Sequence, residues 1–224
     1  AGSEDLLADW EKPAVAFVLT GEMHGYIEPC GCSENMPGGL ARRLDCIQRL
    51  GSRGWPVVPL DAGGMLHPGR VGREQSTIKL QHSWTALHTL GYRAIAVGLE
   101  EARLGADGFF NAYDSNPGVS NTEDVRNETP YLAANLKLYD PNFDLFPISH
   151  TIIEAGEVKI AVTAVISPEL VRPHLPPGQA DLMIFEEPAA ALQRILPQLQ
   201  QAEPDVLVLL SHCSAQESEQ LAQQ

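Results

Sequence analysis

Thr20-Gly21-Glu22-Met23-His24-Gly25-Tyr26-Ile27-Glu28-Pro29-Cys30-Gly31-Cys32 is where an apolar run stops and a dense set of metal-capable side chains begins. The run before it, Ala14 to Leu19, has the composition of a buried strand. Gly21, Gly25, Pro29 and Gly31 then keep the chain from continuing as helix, so carboxylate, imidazole and thiols all fall on a loop. Such side chains at the C-terminal end of a strand are the signature of an α/β site.

Working outward, Gly39 to Leu50 places Leu40, Leu44, Ile47 and Leu50 on one stripe, which predicts a helix ended by Gly51. Pro56 to Leu60 is a short strand stopping at Asp61-Ala62-Gly63-Gly64. A helix from an N-cap at Ser76 to Leu90, ended by Gly91, leads to a third strand over Ala94–Val97. Strands and helices alternating through short connections imply parallel strands with right-handed crossovers. Asp114 to Pro130 is rich in turn formers and is predicted as an exposed loop. Ile152-Ile153 and Val158–Val165, joined by Glu154-Ala155-Gly156-Glu157, predict a hairpin opening a second sheet or layer. Pro188–Gln201 reads as an amphipathic helix kinked or split at Pro197, where a backbone donor is lost. Asp205–Leu210 is the last strand, expected to deliver His212 and Cys213 to the edge that carries the first loop. Ser214 to Gln224 is polar and helix-prone.

Thr20-Gly-Glu-Met-His-Gly-Tyr-Ile-Glu-Pro29, followed by Gly38-Gly-Leu-Ala-Arg-Arg43, resembles the opening of the 5′-nucleotidase branch of the calcineurin-like metallophosphoesterases. That family opens on Asp-x-His-Gly and continues with Asp-Ala-Gly-Asp, Gly-Asn-His-Glu, Leu-Ala-Ala-Asn and Ser-His. This chain has Asp61-Ala-Gly-Gly64, Gly98-Leu-Glu-Glu101, Leu132-Ala-Ala-Asn135 and Ser211-His212 in the same order. The resemblance implies a layered α/β fold, mixed β-sheets flanked by helices, with a site at the strand C-termini. It also implies two metal ions, held at positions that read here Glu22, His24, Gly64, Leu99 and His212. Glycine and leucine at two of these positions offer no donor atoms. A histidine that acts on the leaving group in the family is Glu100 here. The last family ligands, Gly-His-x-His, are not found before Gln224.

Two constellations follow. Glu22, His24, Glu100 and His212 form a donor set for one divalent ion (Zn, Mn or Fe) rather than two, or alternatively a group of hydrogen-bonded polar residues at strand ends. Cys30, Cys32 and Cys213 leave three arrangements open: a disulfide from the loop to Cys213, a thiolate site shared with His24 or His212, or free buried thiols. Cys46 is expected in the core. His67 is a substitute ligand or a surface residue; His82, His88 and His150 are expected to be structural, and Arg42-Arg43 to serve packing and ion pairing.

Fifteen basic residues against twenty-nine acidic ones give a formal charge of −14, which argues against nucleic acid and anionic membranes as partners. No eighteen-residue apolar run is present, so no membrane span is expected. The expectation is a single domain over residues 1–224, truncated at its C-terminus and followed by a further domain. By resemblance its location is periplasmic or extracytoplasmic. The function expected is that of a 5′-nucleotidase-like domain with weak or lost phosphoester hydrolysis. It would keep a single-metal or cysteine-based site that takes a small-molecule or phosphate ligand. The alternative is an active metal-dependent phosphomonoesterase or nucleotidase.

Overall fold

Strands covered on both faces read as unbroken apolar runs rather than alternating ones. Val57–Asp61 and Val158–Ile166 are mostly such runs, with Asp61, Lys159 and Thr163 the polar exceptions. In the computed structural model, which describes residues 7, 9–29, 38–71, 74–114, 129–143 and 146–223, they are the middle strands of two stacked sheets. The first sheet is wholly parallel, in the order β1 (Ala16–Thr20), β2 (Val57–Asp61), β3 (Ala94–Ala96), β4 (Tyr131–Leu132). Its connections carry α1 (Leu40–Ser52), α2 (Glu74–Thr89), α3 (Leu99–Ala102) and α4 (Gly105–Asp114). A two-stranded ribbon pairs β5 (Leu136–Leu138) with a later strand, β8 (Met183–Phe185). The second sheet runs β6 (His150–Ala155), β7 (Val158–Ile166), β9 (Val206–His212), antiparallel at the hairpin and parallel at the end. It is accompanied by α5 (Pro168–Val171), α6 (Pro188–Gln201) and α7 (Ala215–Leu221).

Burial follows the layers. Val58, Leu60, Ala94, Ala96 and Leu132 of the first sheet meet Ile153, Ile160, Val162, Ala164 and Leu210 of the second. On the outer face of the first sheet, Leu80, Trp84 and Leu87 of α2 and Phe109 of α4 cover Ile95 and Tyr131. On the outer face of the second, Ala191, Ile195 and Leu199 of α6 cover Ala161 and Val165. Asn135 joins the sheets. Its amide donates to the carbonyls of Ile166 (2.8 Å) and Glu186 (3.1 Å) and accepts from Ile166 N–H at 3.0 Å, satisfying groups buried at the end of β7. The result is helix, sheet, sheet, helix, the layered α/β architecture expected from the sequence.

Several local expectations are corrected. The first helix passes through Gly51 to Ser52, and α2 begins at or before Glu74, with Ser76 buried inside it rather than capping it. Helix α6 runs through Pro197 as one element, which corrects the split into two short helices. Pro197 is on the exposed side of the helix, away from the sheet. Cys46 is exposed, because Leu40 and Ile47 rather than Cys46 turn toward the core. The short helices α3 and α4 were not expected. Most of the loop expected over Asp114–Pro130 lies outside the described residues, as do Cys30 and Cys32. No helix among the described residues is long and apolar enough to cross a membrane.

Candidate functional site

The parallel register of β1 on β2, ending Leu19↔Leu60 and Thr20↔Asp61, brings the loops that follow both strands side by side. They remain hydrogen-bonded past the strand ends: Ala62 N–H donates to Thr20 O, Glu22 N–H to Gly63 O, His24 N–H to Gly64 O, and Gly25 N–H to Met65 O. Holding this course puts Glu22 and His24 at φ of 51° and 50°, a left-handed region that side-chain-bearing residues seldom occupy. Both side chains are thereby turned to one place. His24 Nε2 lies 3.0 Å from one Glu22 carboxylate oxygen.

His212 reaches the same carboxylate from the second sheet. Its Nε2 lies 3.8 Å from the other Glu22 oxygen, and its Nδ1–H donates to Ala62 O at 3.0 Å, which fixes the ring. Thus residues 190 positions apart (212 − 22) in the chain share one centre, the juxtaposition expected for these three. Cys213 does not join them: it packs against the cluster of Ala161, Val165, Ala191 and Ile195 on the α6 side of the sheet. Burial, with a further push from Glu217, raises its thiol to about 11 against a weaker lowering by Ser211, so it is protonated at neutral pH. Glu100 is buried in α3, and its Oε2 has no hydrogen-bond partner among the described residues. His67 caps a turn, its Nδ1 accepting from Gly69 N–H at 3.1 Å. Arg43 pairs with Asp61 at 3.2 Å and donates to Thr20 Oγ1 at 3.1 Å, the packing role expected of it.

Two carboxylates that shape the site were not singled out from the sequence. Asp61, fully buried, accepts from Thr20 Oγ1, Arg43 and Gly63 N–H. Glu101, also fully buried, accepts three backbone donors in a row, from Gly64 (3.1 Å), Met65 (2.7 Å) and Leu66 (3.1 Å). Burial pushes its carboxyl up to about 7, aided by the charge of Glu100, while the Gly64 and Met65 donors and His212 hold it down. The signal was available: an acid directly beyond an apolar strand, or on the short segment after one, is buried there and must be satisfied.

No family model and no curated protein matches the chain. Solved structures do. A 5′-nucleotidase precursor of Thermus thermophilus superposes with a TM-score of 0.72 at 22% identity, over 92% of this chain and 38% of that one. The NAD nucleotidase of Haemophilus influenzae gives 0.66 at 17% identity, over 92% and 35%. A calcineurin-like phosphoesterase of Bacillus subtilis gives 0.60 at 14%, over 87% and 60%. The chain has the calcineurin-like metallophosphoesterase fold. It spans well under half the length of the two nucleotidases.

The phosphoesterase fold implies metal ions, and the residues present do not fit a pair of them. At the position expected to bridge two metals stands Gly64, at φ +77°; a Cβ built there would lie 2.7 Å from Glu22 Oε1 and 3.1 Å from Glu22 Cα. Leu99, at a second ligand position, packs against the apolar cluster under the first sheet. Gly98 is equally constrained: a side chain there would strike the backbone N of Gly64 and the Glu101 carboxylate. Among the described residues, no three of His, Cys, Asp and Glu are grouped to hold a metal ion. The arrangement is a carboxylate between two imidazoles, over a backbone loop clamped from behind by Glu101.

Proposed function

We infer that this is a phosphoesterase-fold protein in which two-metal hydrolysis is weak or lost, and that the centre at Glu22, His24 and His212 serves ligand binding. The observation that carries this reading is the contact at Gly64. Two-metal phosphoryl chemistry stabilises both the attacking and the leaving oxygen, and a shared carboxylate between the ions is what holds them together. Here the space for that carboxylate's side chain is taken by Glu22. One ion would have to draw further donors from residues outside those described, Cys30 and Cys32 among them. The ligand class proposed is a small molecule or phosphate, and the location extracytoplasmic, a reading supported by the Thermus neighbour being a precursor.

The test is turnover of nitrophenyl phosphate and nucleoside monophosphates with Mn, Co or Zn supplied. Rates below about one per second are expected, and rates at or above it would restore the nucleotidase reading. Gly64→Asp alone is expected to add nothing, since the new carboxylate collides with Glu22.

A further inference from the structure

We propose that Phe110, Tyr139 and Phe143 form a surface receptor for a quaternary ammonium group, apart from the centre of Glu22, His24 and His212. Phe110 belongs to α4, Tyr139 follows β5, and Phe143 closes the turn after it. Their ring centroids make a nearly equilateral triangle, with Phe110 5.9 Å from Tyr139 and 5.8 Å from Phe143, and Tyr139 6.0 Å from Phe143. The ring planes meet at 83°, 69° and 86° in the same order. Rings so placed can serve as three walls of one corner, and a cation seated there lies about 4 Å from each face, within reach of cation–π attraction.

The walls are fixed from behind. Phe110 and Phe143 rest half-buried on the core cluster, while Tyr139 keeps 37% of its surface exposed. Tyr139 takes φ 64°, ties its N–H to Leu182 O at 2.8 Å and donates its hydroxyl to Asp107 Oδ1 at 3.1 Å. The other Asp107 oxygen accepts from Gln179 Nε2 at 2.9 Å. Phe143 is folded back by its N–H bond to Asp140 O at 2.9 Å. Side chains held in this way lose little further freedom when a ligand arrives.

Chemistry selects the ligand. A metal ion or a primary ammonium needs oxygen atoms around it, and both Asp107 oxygens are already engaged by Tyr139 and Gln179. A quaternary ammonium has no hydrogen to donate and spreads its charge over methyl groups, which ring faces match. Asp107 at the edge of the corner and the formal charge of −14 add attraction for a cation without direct bonding.

The experiment titrates the full chain with choline and, in parallel, with 3,3-dimethylbutan-1-ol, its uncharged carbon isostere, by calorimetry and by the methyl resonances of each. Choline is expected to bind about tenfold more tightly, with its N-methyl signal moved upfield by the rings. Equal binding of the two, or no choline binding up to about 10 mM, would overturn the inference. Tyr139→Leu and Phe143→Leu keep apolar bulk and remove a π face, and each is expected to lower choline affinity about fivefold while leaving the isostere unchanged. Tyr139 is exposed, so its variant is the one expected to stay folded, and choline affinity unchanged in it would also overturn the inference. Phosphatidylcholine vesicles separate a free ligand from a lipid head group. No co-sedimentation is expected, and co-sedimentation without binding of free choline would overturn the small-molecule assignment.

Discussion

Glu101 shows how much of a site depends on one side chain that touches no ligand. Its carboxylate clamps Gly64, Met65 and Leu66, and those residues in turn hold the loop of Glu22 and His24 by backbone pairing. Because burial raises its folded-state ionisation to about 7, above the ordinary carboxylate value of 4.5, the native chain holds a proton that the unfolded chain has released between those values. Stability from this group is therefore fully present below about pH 4.5 and is lost as pH rises toward 7. Thermal melts across that window are expected to show the decline, and Glu101→Gln, which cannot ionise, to flatten it while lowering stability throughout. The sequence reading placed Glu100 in the donor set and gave Glu101 no part in it. Only their helical directions separate them, one toward the loop donors and one left unpaired, and direction on a four-residue helix cannot be read from composition.

Elements were legible where one period dominated. Ile152-Ile153 and Val158–Val165 flank a glycine turn, and the hairpin formed as expected at Gly156, which takes φ +63°. Helix α4 was hidden because Gly105 and Gly108 depress its helix propensity; tertiary burial of Ala106, Phe109 and Ala112 overrides that local cost. In α6 the reverse holds for the split into two helices: the buried stripe of Ala191, Ile195 and Leu199 keeps the segments on either side of Pro197 in one helix on the sheet. That makes Pro197→Ala a stabilising change. It restores a backbone donor at an exposed position, offset partly by the freer unfolded chain, and is expected to raise stability by roughly 1–2 kcal/mol in a denaturant titration.

At the scale of the molecule, the order of the motifs foretold a layered fold, and the stacking of a parallel sheet on a mixed one brought β1, β2 and β9 to a common end. What order alone does not fix is which face a residue takes. His212 and Cys213 are neighbours in sequence, yet His212, the last residue of β9, faces the loop after β2 while Cys213, just past the strand, packs on the α6 side, so expecting both at the centre ignored the alternation of side chains. The charge of −14 makes a further prediction. Duplex DNA and RNA are expected to show no gel shift at physiological salt, and a retained complex there would contradict it.

The crowding between positions 22 and 64 also sets an order on redesign. A carboxylate placed at position 64 meets the Glu22 carboxylate at once, and the exposed end of Glu22 must swing aside before both fit. Shortening Glu22 first frees that volume but gives up the His24 contact. Paired substitutions at 22 and 64 therefore exchange one side chain for the other with the least disturbance of the loop.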